Sequence, residues 1–147
     1  MTFGPAIPAL PTAEMARSVS CYRDRLGFAV LHEEPSFAVV AREDCVLHLW
    51  LADDQSWRHR DTLAVRPVRS GAESFLAGTA SCRIRVSEER GLADLYEELR
   101  AAGVLHPASQ GGVTTTDFGD RELHASDPDS NLLSFFYRED RPQDVTG

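Results

Sequence analysis

One order of elements occurs twice along this chain: a short extended segment, an amphipathic helix closed by glycine, then strand-forming runs separated by turns. In the first copy, Ala6 to Leu10 is apolar, and Pro5, Pro8 and Pro11 restrict it to extended geometry. Thr12 stands where a helix N-cap is wanted. Met15, Val19, Tyr22 and Leu26 then fall on one helical face, and Gly27 is placed to end the helix. Strands are predicted over Phe28–His32, Phe37–Arg42 and Cys45–Leu51, the last two joined at Arg42-Glu43-Asp44 as a hairpin. The second copy has a strand over Ser81–Val86 and a helix over Gly91–Ala102, with Leu92, Leu95, Tyr96 and Leu99 inward and Gly103 behind it. Strands at Val113–Thr116, Arg121–Ser126 and Leu132–Tyr137 complete it. The turn-forming run Asp127-Pro128-Asp129-Ser130-Asn131 introduces the last of these.

A unit of type βαβββ has one helix for its whole sheet, so only one sheet face is covered. The alternation of side chains agrees. Cys82, Ile84 and Val86 point toward the helix, and Ser81, Arg83 and Arg85 point away. Leu123 and Ala125 face the core while Glu122 and His124 share the other side. His48 and Trp50 lie with Val46 on one face, and Ser134 lies between Leu132 and Phe136. An open face that mixes aromatic, guanidinium and imidazole groups makes a poor core and reads as the wall of a pocket. The expected fold is α+β, a single domain of two βαβββ modules at about 6–51 and 79–137. They are joined by a loop at 52–78 and followed by a polar tail at 138–147. A connection that long is commonly functional, and Trp57 within it is a candidate lid or wall residue.

The totals bound the function. At 147 residues one domain buries roughly 70% of the surface of its unfolded chain. A net charge of −8, with no run of Lys or Arg, argues against a nucleic-acid surface. Cys21, Cys45 and Cys82 are odd in number and form no C-x-x-C pair, which suits reduced thiols in a cytoplasmic protein. No apolar run has the length of a membrane span, and the N-terminus lacks the basic start and apolar core of a signal peptide. No phosphate loop, G-x-S-x-G or nucleophilic Cys/His spacing is present.

The segments CYRDRLGF (21–28), VLHLWL (46–51), LADLYEELRAAGV (92–104), FGDREL (118–123) and DPDSNLLSFF (127–136), taken in order, resemble the vicinal oxygen chelate superfamily. That superfamily holds glyoxalases, extradiol dioxygenases and bleomycin-resistance proteins, and the likeness is strongest to the last. The resemblance implies a half-open mixed β-barrel of paired βαβββ modules, in a homodimer that exchanges its N-terminal strand about a hinge at Pro8. It also places the metal-ligand positions of the superfamily's enzymes on Ile7, His48, Ser81 and Ser134. Ile7 has no donor atom and the two serines are weak donors for a divalent ion, so neither a metal nor another cofactor is expected. A remodelled site of His48, Glu122 and His124 is the metal-bearing alternative.

The resistance proteins hold a flat heterocycle against aromatic side chains without altering it. By that likeness Phe37 and Phe118 are ligand-binding candidates, joined by Trp50, Trp57 and Phe136 from the open faces. His48, Glu122, His124, Ser134, Arg83 and Arg85 are the polar candidates. Arg83 and Arg85 stand where the resistance family carries aromatics. They either stack on a ligand, repelling a strongly cationic one, or pair with Glu122. Glu122 and His124 likewise either act as an acid–base pair or satisfy each other. The expected function is sequestration of a planar aromatic natural product, bleomycin or another aromatic antibiotic, with no catalytic residue. The alternative is a superfamily lyase or oxidoreductase acting on an aromatic or thiol-linked substrate.

Overall fold

The computed structural model describes residues 1–52 and 80–139. In chain order the first module contains β1 (Ala9–Thr12), α1 (Met15–Asp24), β2 (Ala29–Glu34), β3 (Phe37–Arg42) and β4 (Cys45–Leu51). The second contains β5 (Ser81–Arg85), α2 (Glu89–Ala102), β6 (Thr114–Thr115), β7 (Arg121–Ser126) and β8 (Leu132–Tyr137), with a 3₁₀ turn at Pro107–Ser109 ahead of β6. Each module makes one four-stranded mixed sheet, in the orders β1-β4-β3-β2 and β5-β8-β7-β6. The strand before each helix pairs parallel to the module's last strand, and all other pairings are antiparallel. This is the expected pair of βαβββ modules.

The helices end as their glycines require. Around Gly27 (φ 75°), the Phe28 N–H reaches back to the Tyr22 carbonyl at 2.8 Å. At Gly103 (φ 72°) the Val104 N–H closes on the Leu99 carbonyl at 3.1 Å. Glu43, also left-handed at φ 52°, turns the β3–β4 hairpin. The covered faces of both sheets meet α1 and α2 in one continuous core that includes Leu10, Tyr22, Leu47 and Leu49 of the first module. Leu99, Leu123, Leu133 and Phe135 come from the second. Each fully buried leucine contributes roughly 1.5–3 kcal/mol.

Three expectations need correction. The first strand is Ala9–Thr12 rather than Ala6–Leu10, because the prolines favour extended chain without choosing which part of it pairs with β4. Thr12 is therefore the end of β1 and not a helix cap. The N-cap is Glu14, in extended geometry and with no side-chain cap bond. The strand expected over Val113–Thr116 is reduced to Thr114–Thr115.

The residues that lead into α1 are held from the other module. Asp129 accepts from the Ala13 N–H (3.1 Å), the Thr12 hydroxyl (2.8 Å), the Ser18 hydroxyl (3.0 Å) and Arg17 (3.1 Å), which brings the Thr12 and Ser18 hydroxyl oxygens into close contact. Two residues earlier, Asp127 accepts from the backbone N–H groups of Asp129 and Asn131, from Asn131 Nδ2 and from the buried Tyr22 hydroxyl. Asn131 Nδ2 also donates to the Pro11 carbonyl at 2.7 Å. Burial pushes the Asp127 carboxyl above its usual range, against the pull of the hydrogen bonds from Asn131, Tyr22 and Asp129. The Asp-Pro-Asp-Ser-Asn turn is thus a clamp between modules as well as the entry to β8.

Candidate ligand-binding faces

With the core on one side of each sheet, the other side of each is left to carry chemistry. On the first sheet, register sets Phe37 beside Trp50, and Val39 between His48 and His32. The Phe37 and Trp50 rings lie 4.5 Å apart at 41°, and the His48 imidazole meets the Phe37 ring edge-on at 5.0 Å. His32 adds a tilted contact to Phe37 at 5.8 Å. Phe37, His48 and Trp50 therefore form one partly exposed aromatic patch, as their spacing predicts.

The second sheet presents two rows across β5, β8 and β7: Arg83–Ser134–His124 and Arg85–Phe136–Glu122. They are wired together. His124 Nδ1 and Ser134 Oγ are 2.8 Å apart, and His124 Nε2 lies 3.3 Å from Glu122. A proton on Nε2 facing Glu122 leaves Nδ1 to accept from the Ser134 hydroxyl, so one tautomer satisfies both contacts. Arg83 donates to Glu122 (3.1 Å) and to Asp120 (3.1 Å), and its guanidinium carbon sits 4.4 Å above the Phe136 ring. Asp120, fully buried, also binds Arg138 in a fork at 2.6 and 2.9 Å.

These contacts bear on several alternatives left open by spacing alone. Arg83 does pair with Glu122, and Glu122 with His124. Arg83 faces two carboxylates, Glu122 and Asp120, which offset the charge on which the expected repulsion of cationic ligands rests. Arg85 donates to the Arg138 carbonyl at 3.2 Å and lines a separate cavity of about 430 Å³ with Phe28, Cys45 and Leu95. Phe118 sits 60% exposed on the turn before β7. Trp57 lies outside the described residues.

Sequence reasoning passed over Asp120 and Arg138. The signal for Asp120 is its parity: residues 120, 122 and 124 share one side of β7. Arg138, assigned to the polar tail, is anchored to Asp120 instead. For a metal, the side chains fit poorly. Ile7 precedes β1 and is half exposed, Ser81 is exposed, and Ser134 is committed to His124. Among the described residues no group of three His, Cys, Asp or Glu side chains is arranged to hold an ion. His48 packs on Phe37 in the first sheet, while Glu122 and His124 pair with each other in the second.

Two βαβββ modules with open, ligand-capable sheet faces define a class of protein, and comparison with known families agrees. The family model described as Glyoxalase/Bleomycin resistance protein/Dioxygenase superfamily matches residues 5–135, and the chain belongs to that superfamily. Within it, the chain is 43% identical to a bleomycin resistance protein of Geobacillus stearothermophilus over 89% of this chain and 94% of the relative. A bleomycin resistance protein of Staphylococcus aureus gives the same figures. Among solved structures, the bleomycin-binding protein of bleomycin-producing Streptomyces verticillus, complexed with copper(II)-bleomycin, matches with a TM-score of 0.67 at 25% identity. The match covers 95% of this chain and 99% of that one.

Proposed function

We propose that this protein confers resistance by binding and sequestering bleomycin or a related planar aromatic antibiotic, without changing it chemically. The observation that carries this reading is the Phe37–His48–Trp50 patch, in which His48 and Trp50 each pack on Phe37 on a sheet face that the chain's own core leaves uncovered. Stacking on such a patch tolerates many ring systems and is worth roughly 1 kcal/mol per pair beyond burial. The identity to bleomycin resistance proteins supports bleomycin as the ligand, and the carboxylates that face Arg83 support its compatibility with a cationic one.

A single open face is one wall of a cleft. The reading therefore includes a homodimer in which the aromatic patch of one copy meets the polar face of the other. Phe3 and Ile7, exposed ahead of β1 and on the far side of Pro8, support exchange of the N-terminal segment in that dimer. Reduced cysteines support a cytoplasmic location, and no described helix is long and apolar enough to cross a membrane. With no donor atom at Ile7 and weak donors at Ser81 and Ser134, these positions give no reason to extend the reading to metal-dependent turnover.

Titration with bleomycin, followed by tryptophan fluorescence and calorimetry, tests the proposal. Saturable binding is expected, weakened about fivefold or more in Phe37→Ala as a stacking contact is lost. A Phe37→Ala protein that folds and binds like the wild type would remove the patch from the site.

A further inference from the structure

The polar face holds a surface that its residue types alone do not announce. Arg83 is gripped edge-on: Nη1 meets Glu122 and Nη2 meets Asp120, both at 3.1 Å. Asp120 is wholly buried and its own backbone N–H is tied to the Thr116 hydroxyl at 3.0 Å, so this carboxylate has little freedom to move. Phe136 backs one face of the guanidinium at 4.4 Å, yet the Arg83 side chain remains 45% exposed. The plane is fixed, one face is covered, the charge is matched, and the opposite face is what a ligand meets.

We propose that Arg83 is a stacking platform for a flat aromatic ring, and that Asp120 is the positioning residue that holds it in plane. The proposal rests on the binding reading above and narrows it. Because both terminal nitrogens already face carboxylates, this subsite selects by ring face rather than by an anionic group on the ligand. A ring laid on Arg83 completes a three-layer stack of Phe136, guanidinium and ligand. A lysine at this position keeps the charge and loses the plane, so it cannot substitute. The buried carboxylate explains why an arginine can serve as a flat surface: unrestrained, its side chain loses rotamer freedom on binding and the contact weakens.

The test uses three probes on the full-length protein: bleomycin, 9-aminoacridine as a flat cation and anthraquinone-2-sulfonate as a flat anion. Binding is read by calorimetry for wild type, Arg83→Lys, Arg83→Gln, Asp120→Asn and the Asp120→Asn/Arg83→Lys double variant, each with its melting temperature. Arg83→Lys is expected to weaken all three probes roughly tenfold, the scale of a partly desolvated cation–π contact. Asp120→Asn is expected to weaken them similarly, and to add no more than about twofold in the Arg83→Lys background, since it acts through Arg83. A purely structural role for Asp120 would instead lower binding equally in both backgrounds. Two results overturn the proposal while leaving the binding reading intact: Arg83→Lys within twofold of wild type for every probe, or loss confined to the sulfonate in Arg83→Gln. If wild type binds none of the three, both fall. Should Asp120→Asn fail to fold, the Lys and Gln variants, which keep Asp120, decide the matter.

Discussion

Cys82 sits where β5 enters the shared core, and burial raises its thiol from the usual value of 9.0 to about 11. A thiol raised on folding binds its proton more tightly in the native state. Its contribution to stability is therefore complete below pH 9 and is lost as pH rises through about 11. For a group this buried the full span amounts to roughly 2–3 kcal/mol. Tyr22, raised by burial and by its neighbour Asp127, acts in the same direction at higher pH. Denaturation followed from pH 8 to 11 is expected to show falling stability, and Cys82→Ala is expected to flatten part of that slope. An unchanged slope in the variant would mean that the thiol is not desolvated as described. Asp120 and Asp129, the residues on which the polar face and the module junction depend, differ from Cys82 in being satisfied by specific donors rather than merely hidden.

At the scale of elements, the strands β3, β4, β7 and β8 coincide with their predicted spans, because period-two alternation and flanking turns both marked them. Gly27 and Gly103 marked the helix ends for the same local reason. What local pattern could not show was the start of α1. The residues leading into it are held by Asp129, more than a hundred residues away in sequence, and nothing near Thr12 or Glu14 signals it. The open faces were legible as sets of residues sharing a side. The pairings within them were not, since Arg83 had Glu122 as a visible candidate and Asp120 lay just outside the predicted strand. Removing this distant anchor should be costly. Asp129→Ala strips partners from the Thr12 and Ser18 hydroxyls, the Ala13 N–H and Arg17, and is expected to destabilise the fold by about 3 kcal/mol, read by urea denaturation. A loss under about 1 kcal/mol would show that the clamp does not hold the modules together.

For the whole molecule, one core binds the two modules into a scaffold while both sheets keep a face for other molecules. One face is aromatic and the other is a polar network built on Phe136, so two copies set face to face would supply the two unlike walls of a cleft. Such a cleft holds a ligand by shape and stacking, with affinity set by preorganised surfaces rather than by a reaction. Of the four positions that the resemblance assigns to metal in the superfamily's enzymes, Ile7 carries an alkyl group and Ser81 and Ser134 hydroxyls, the latter engaged by His124, which leaves His48 as the single imidazole among them. The measurement that bears most directly on sequestration is a mass balance on the bound drug. Protein and bleomycin are incubated at equal concentrations for hours, the complex is isolated and denatured, and the released compound is analysed by mass spectrometry. Unchanged bleomycin, recovered in proportion to protein dimer, is the expected result. A product of altered mass that accumulates beyond the protein concentration, or no retained drug at all, would contradict it.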